Sequence, residues 1–425
     1  MSRRVLFASA LCALMGCLTP QAWAQVALEG GTVHTVSGEV LKDATVVIGP
    51  KGRILSVGPK GKVALPEGTT RVSIQGKILT PGLMDVNTSL GAVEIWAAKS
   101  TDDTSGGKGP VRAGARVVDG VNVDSAVIPV QRAGGVTDVL VVPSGGIVAG
   151  QSAWMHTGAP GRFGQIAQDT VGMHIYMGAW PRRREKLTRV GLMRMLRTLV
   201  ADVTFLLKNA QAFEQNRTRS LIASATDLMA MSKTMGKDPK RMPVFLHAER
   251  ASDIVGGVKW AQAAGMRPVV VGGAQAWRVA AFLAAQKVPV VVNPMSNLPS
   301  QFEALGARAN AAALLHKAGV QVVLSAFESH NVRKLRQMAG NAVRAGLPHE
   351  QALRAVTLNA ARVAGAQAQI GSIEPGKLAN LVVWSGDPFE LSTRVERMYI
   401  KGKPASLKSR QDALFERYSA KKVAP

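Results

Sequence analysis

Cysteine is nearly absent: the 425-residue chain holds two, Cys12 and Cys17. Both fall in a leader-like segment, so a chain starting at Gln25 has no thiol, which excludes disulfides and cysteine nucleophiles. Acidic residues are scarce beside basic ones, 28 against 52, and the formal net charge is +24. Such a surface is drawn to anionic envelope material, phospholipid or acidic polysaccharide, by an attraction that salt weakens. Aromatics make up only 5% of residues. Few lie near the densest basic clusters, Pro181-Arg182-Arg183-Arg184 and the run 237–241, so no nucleic-acid partner is expected. Basic runs of this kind ordinarily form solvated helix faces or loops.

The N-terminus carries Arg3-Arg4, an apolar run over 5–15 and then Ala22-Trp23-Ala24. The apolar run is too short to cross a bilayer, and the small-x-small end reads as the cleavage site of a secretory signal peptide over 1–24. An exported, periplasmic location follows. Leu14-Met15-Gly16-Cys17 resembles a lipoprotein processing box, but Met15 is unusual there and cleavage after Ala24 is the preferred reading. Ser2-Arg3-Arg4 faintly resembles a twin-arginine signal, and its short charged region favours the general secretory route.

From 26 to 78, short alternating strands are broken by Gly30-Gly31, Gly38, Pro50-Lys51-Gly52 and Pro59-Lys60-Gly61, a hairpin pattern. A second patch of the same character runs from Gly371 to Gly402. Between them valine-rich strands are expected over 137–142, 173–177, 243–247, 268–272, 289–293 and 321–325. Near-continuous valine suits strands buried on both faces. They alternate with helical stretches at 274–286 and 308–318 and with one that Ser252 is placed to cap and that ends near Gly265. An α/β protein with a TIM-like (βα) barrel, regular or irregular, follows, its site at the C-terminal ends of the strands. The long, basic, helical stretch 187–235 leaves the fourth barrel strand without a place: either an insertion or a lost strand explains it.

Three segments carry a family resemblance: Pro81-Gly82-Leu83-Met84-Asp85, Thr357-Leu358-Asn359-Ala360-Ala361, and Gly371-Ser372-Ile373-Glu374-Pro375-Gly376-Lys377. With the Gly386-Asp387-Pro388 turn, they resemble the metal-dependent amidohydrolase superfamily, in its exported imidazolonepropionase-like branch, over nearly all of the chain beyond the leader. The resemblance implies a small β-sandwich built from both chain ends (25–80 and 366–410), a barrel over 81–365 and a C-terminal tail over 411–425. Asn380 departs from the family's aspartate. In intact members a bound metal such as zinc activates water to hydrolyse a carbon–nitrogen bond in a small amide or peptide-like compound.

The family's first barrel strand reads Pro-Gly-Leu-Ile-Asp-x-His-x-His, and its paired histidines hold the metal. Here those positions are Asn87 and Ser89, an amide and a hydroxyl that are poor zinc ligands. The histidine expected on the sixth strand is replaced by Gly272-Gly273, and the aspartate expected on the last by Phe327. His247, at the end of an expected strand, matches the family's fifth-strand histidine but cannot hold a metal tightly alone.

The favoured expectation is a degraded metal site, with no cofactor and a binding or partner role beside an intact relative or a second copy of the chain. The rival is an active hydrolase with a rebuilt divalent site drawn from Glu94, His174, His247 and Glu328, with His330 beside the last. Asp85 more often packs or caps than catalyses. Ser144-Gly145-Gly146 and Gly150-Gln151-Ser152 lack a nucleophile elbow. Their glycines would allow close approach of a loop or ligand, and Trp154 and His156 beyond them are expected at the barrel mouth.

Overall fold

The computed structural model describes residues 25–158, 162–215, 217 and 219–419. The expected leader, with Cys12 and Cys17, lies outside the described residues.

Eight strand positions stand in the order expected of a barrel wall. The first two are Leu83–Thr88 and Val136–Val141, which pair in parallel. The fourth to eighth are Met173–Tyr176, Val244–Ala248, Pro268–Gly272, Val290–Val292 and Val322–Leu324, all parallel neighbours. The third position is filled from an unexpected source. Val148–Gln151 and Ala153–His156 run on through Ser152, the former antiparallel to Met173–Tyr176 and the latter antiparallel to Val136–Val141. No strand is therefore lost in 187–235, which supplies the crossover helices Arg189–Lys208, Ala210–Glu214 and Ala225–Ser232.

The hydrogen-bonded ladders form a four-stranded and a six-stranded sheet, not one closed cylinder. One break falls at Ser152, whose N–H turns instead to the Gly172 carbonyl at 2.9 Å. The other lies between Val322–Leu324 and Leu83–Thr88. There the Asp85 carboxylate accepts from Ser325 Oγ at 2.5 Å and from the Ala326 N–H at 2.8 Å, and Thr88 Oγ1 donates to the Glu328 carbonyl at 2.5 Å.

Two apolar layers hold the wall. Met84, Val86, Leu140, Trp154, Phe245, Val269, Val271, Val291 and Val323 fill the interior, with Ala360, Ala361 and Ile370 packed among them. Val139, Leu246, Val270, Val290 and Leu324 pack with the surrounding helices. Alternate residues of one strand thus serve opposite layers, as the two-residue period requires. Arg189–Lys208 is set by its own sequence: Thr188 Oγ1 accepts from Gly191 N–H, and Leu192, Met195, Leu196, Leu199, Val203 and Leu206 recur at helical spacing and are buried. Each such leucine stabilises the fold by roughly 1.5–3 kcal/mol. Ser252 does not cap its helix: Ala251–Ala263 has Arg250 at its N-cap position, with no side-chain cap hydrogen bond, and Ser252 lies inside its first turn.

Strands from both chain ends do meet, but in one eight-stranded sheet where a sandwich was expected. Leu381–Trp384 pairs antiparallel with Ile78–Pro81. The sheet divides at Gly30-Gly31, where the register with Val40–Ile48 shifts. Before the glycines Val26–Glu29 pairs with Thr70–Ser73, and after them Thr32 and Val33 pair with Ile78 and Leu79. Gly30 has φ +88°, and a Cβ at Gly31 would lie 2.7 Å from Ile74 Cδ1, so the bend needs both residues.

Candidate functional site

His174 and His247 come together at the barrel mouth. Cross-strand register places His174 beside Phe245 and Tyr176 beside His247, and His174 Nδ1 lies 2.9 Å from His247 Nε2. His174 is fully buried and stacks on Phe245 at 4.7 Å, while His247 stacks on Tyr176 at 3.9 Å. Burial, and then the neighbouring His247, hold His174 well below the ordinary histidine value. Burial lowers His247 to about 3. Both rings are therefore neutral at pH 7 and share one proton between facing nitrogens. Among the described residues, His174 Nε2 is left buried without a partner, as is Asn87 Oδ1.

The other expected members do not join this pair. Glu94 is tied elsewhere, accepting from Asn122 Nδ2 at 3.1 Å and Ser125 Oγ at 2.9 Å. His330 bonds Ser329 Oγ and the Glu94 carbonyl, so it meets Glu94 through the backbone only. Glu328 offers its carbonyl to Thr88. Phe327 sits at φ +58°, a left-handed conformation uncommon outside glycine, and its ring packs on the barrel interior. Among the described residues no three His, Cys, Asp or Glu side chains converge as a metal-holding group.

Glu249 is the site residue that sequence reasoning missed, two positions beyond His247 and just past its strand. A carboxylate at the C-terminal end of a parallel barrel strand was signal enough. Its Oε2 accepts from the Ala274 N–H at 2.8 Å. Burial raises its carboxyl, Ala274 opposes this, and Glu303 adds to the rise. A Cβ at Gly272 would stand 2.4 Å from Glu249 Oε1. The carboxylate thus occupies the space that a side chain on the sixth strand would need. Glu249, Gly272, Gly273, Asn293, Arg308 and Phe327 line a cleft of ≈ 610 Å³, counted with its opening to solvent.

Trp154 and His156 are not at the mouth. Ala153–His156 runs antiparallel, so it carries His156 back towards the start of Val136–Val141, opposite Asp138. There Asp138 Oδ1 accepts from Trp154 Nε1 at 2.9 Å and bonds His156 Nδ1 at 2.8 Å, while Oδ2 accepts from Thr137 Oγ1 at 2.6 Å and Asn380 Nδ2 at 2.8 Å. Burial alone would raise the Asp138 carboxyl. The charge and hydrogen bond of His156, with the Thr137 and Trp154 bonds, outweigh it and leave the carboxyl lowered.

Arg182 likewise departs from the solvated-face expectation. It is buried and pairs with Glu303 at 2.5 Å; Glu303 also receives Arg189 Nη2 and the Ala179 N–H at 2.7 Å.

An amide, a hydroxyl, a glycine and a phenylalanine stand where the resemblance places ligands, and His247 spends one ring nitrogen on His174. This donor set does not fit a tightly held zinc.

Residues 227–405 match the Amidohydrolase family. A stretch of 51 residues is 51% identical to imidazolonepropionase of Sphingopyxis alaskensis, covering 12% of this chain and 13% of that enzyme. An amidohydrolase from Thermotoga maritima is similar over 90% of this chain and 99% of its own, with a TM-score of 0.80 and 28% identity. A zinc-bound adenosine deaminase from Xanthomonas campestris covers 91% of this chain and 93% of its own, at a TM-score of 0.52 and 18% identity, and shares the fold alone. The chain is thus similar to the Amidohydrolase family over 227–405 and to a solved amidohydrolase over most of its length.

Proposed function

We propose that this chain is an amidohydrolase-fold protein whose mouth has lost the family's metal chemistry and binds a small polar ligand. One observation carries the reading: His247, the remaining family histidine, is bonded nitrogen to nitrogen with His174. That bond takes up His174 Nδ1 and His247 Nε2, since the donating nitrogen has no lone pair to give and the accepting one has used its own, and leaves only His247 Nδ1 and His174 Nε2 as the pair's other ring nitrogens. Glu249 in the space above Gly272 supports the same reading, because it blocks the simplest return of a sixth-strand ligand.

The rival reading is a metal-dependent hydrolase with a rebuilt site. Its support is the unpartnered His174 Nε2 and Asn87 Oδ1, two buried polar atoms at one mouth. Elemental analysis of dialysed protein with a calorimetric zinc and manganese titration separates the two. Absence of saturable binding is expected; near-stoichiometric metal would overturn the proposal and redirect work to carbon–nitrogen hydrolysis.

Export through segment 1–24, attraction to anionic envelope surfaces through the net charge of +24, and association with an intact relative or a second copy belong to this proposal. Lipidation at Cys17 remains its less favoured form. Salt-reversible binding to anionic vesicles tests the surface attraction.

A further inference from the structure

Glu303 gathers two segments of the barrel mouth into one face. The first, 177–190, follows the strand Met173–Tyr176, and the second, 293–308, follows Val290–Val292. The Glu303 carboxylate, on the second, receives Arg182, Arg189 and the Ala179 N–H from the first.

The face they form presents apolar side chains to water. Trp180, next to Ala179, is 65% exposed, and Val190, next to Arg189, is 80% exposed. On the other segment Met295, Leu298, Phe302 and Leu305 are exposed as well. Single side chains of this kind are ordinary on a surface, but a cluster of them marks an interaction site. Leu298 also lines the cleft that holds Glu249, so the cluster rims the opening of that cleft.

Positive charge accompanies these side chains. Arg183, Arg184 and Lys186 are exposed on the first segment and Arg308 on the second. The Arg184 guanidinium lies 5.7 Å from the centre of the Trp180 ring, so cation and indole are presented together. Acidic residues offset little of this: Glu303 is buried and spent on Arg182 and Arg189, and Glu185 is the one other acidic residue of the two segments. A second copy packed through the same face would set these cations against their own kind, which is unfavourable. An anionic bilayer suits both features, since its phosphates take the basic side chains and its acyl boundary takes the apolar ones.

We propose that this face docks the chain on an anionic lipid bilayer, with Trp180, Leu298 and Phe302 entering the headgroup region and Arg183, Arg184 and Lys186 on its phosphates. The Glu249 cleft then opens onto the membrane surface. The inference rests on the envelope attraction already proposed and gives it one orientation. The basic run 237–241 precedes Val244–Ala248 and so lies at the other end of the barrel, away from the bilayer.

The test sediments the chain from Gln25 onward with vesicles of mixed phosphatidylglycerol and phosphatidylcholine, and with vesicles of phosphatidylcholine alone. Binding to the first is expected to be about tenfold tighter or more. The pair Leu298→Ser and Phe302→Ser should lose about tenfold or more with an unchanged thermal midpoint, and the pair Arg183→Gln and Arg184→Gln should lose as much. Lys237→Gln with Lys240→Gln removes the same charge at the far end and should change binding by less than about threefold. Brominated acyl chains should quench tryptophan emission, by an amount that Trp180→Phe reduces. Equal loss in the two glutamine pairs, unchanged binding by the serine pair, quenching that Trp180→Phe leaves unaltered, or a dimer of the lipid-free chain that the serine pair dissociates would each overturn the proposal. Salt-reversible binding that is indifferent to the mouth substitutions defeats this inference and leaves the proposed envelope attraction standing, whereas no binding to phosphatidylglycerol vesicles defeats both.

Discussion

The Asp85 carboxylate meets the Ser325 hydroxyl at 2.5 Å across 240 residues of chain and bridges the barrel edge that the strand ladders leave open. Its other oxygen takes the Ala326 N–H, so the bridge needs two acceptors on one side chain. Asp85→Asn should destabilise the protein by about 2 kcal/mol at neutral pH, because the amide turns a donor towards one of these donors. Ser325→Ala should cost about 1–2 kcal/mol, and the double variant less than the sum of the two. Urea denaturation of the four proteins checks this, and strict additivity would contradict the bridge.

The same carboxylate has a pH signature. Burial raises Asp85 above its ordinary 3.8, against the Ser325, Asn87 and Ala326 hydrogen bonds. A raised folded value means that the folded state takes up the proton more readily than the unfolded chain. The stability gained is complete below the ordinary value and fades as pH rises through the raised one. The Asp85→Asn deficit should therefore be largest in acid and shrink towards neutral pH. A deficit that grew with pH would reverse the assignment.

Asn380 stands where the resemblance expects aspartate, and the structure shows why an amide suits this chain. Asn380 Nδ2 donates to Asp138 Oδ2 at 2.8 Å, and its Oδ1 accepts the Lys401 N–H at 2.7 Å. Asn380→Asp would set two buried carboxylates against each other and should cost about 3–5 kcal/mol at pH 7. The new carboxyl would have a raised value, so part of the loss should return on acidification until Asp138, whose own value is lowered, begins to protonate. Thermal melts from pH 4 to pH 8 follow this; a variant as stable as the wild type at pH 7 would remove Asn380 from any role in accommodating Asp138.

Much of this was legible in the sequence. The valine-rich strands fell where their patterns placed them, because strands buried on both faces leave an uninterrupted apolar signature. Gly272 and Phe327 differ by residue type from the ligands that the resemblance places there. Direction was not legible: Ala153–His156 reads as a strand either way, and only its antiparallel pairing takes His156 from the mouth to Asp138. Nor was mutual reach. Glu94 and Glu328 stand near the right loops, yet Asn122 and Ser125 claim the first, and the second contributes its carbonyl to Thr88.

Gly272 and Glu249 should behave as one unit. Placing there the histidine that the resemblance expects, Gly272→His, sets a Cβ 2.4 Å from Glu249 Oε1, at φ +95°. The substitution should destabilise by about 2–4 kcal/mol, from left-handed strain together with the clash. Glu249→Gly should relieve part of that penalty in the double variant, with a coupling of about 1 kcal/mol or more. Denaturant midpoints of the four proteins measure it, and no coupling would mean that the carboxylate moves aside freely.

Glu303 fixes the loop that rims the Glu249 cleft. It receives Arg182 at 2.5 Å, Arg189 and the Ala179 N–H, and it is 4% exposed, while on the same loop Leu298 and Phe302 are 76% and 84% exposed. An apolar loop this open gains little from its own burial, so its position depends on the buried carboxylate. Glu303→Gln leaves two arginines facing an amide and should cost about 3 kcal/mol. Chymotrypsin should then cut at Phe302 or Leu298 several-fold faster, since local opening controls cleavage there. Asp253→Asn is the control: it weakens only the Arg189 Nε contact at 2.9 Å, leaves Glu303 paired, and should change the cleavage rate little. Equal acceleration in both variants would show that the helix Arg189–Lys208, and not Glu303, holds the loop.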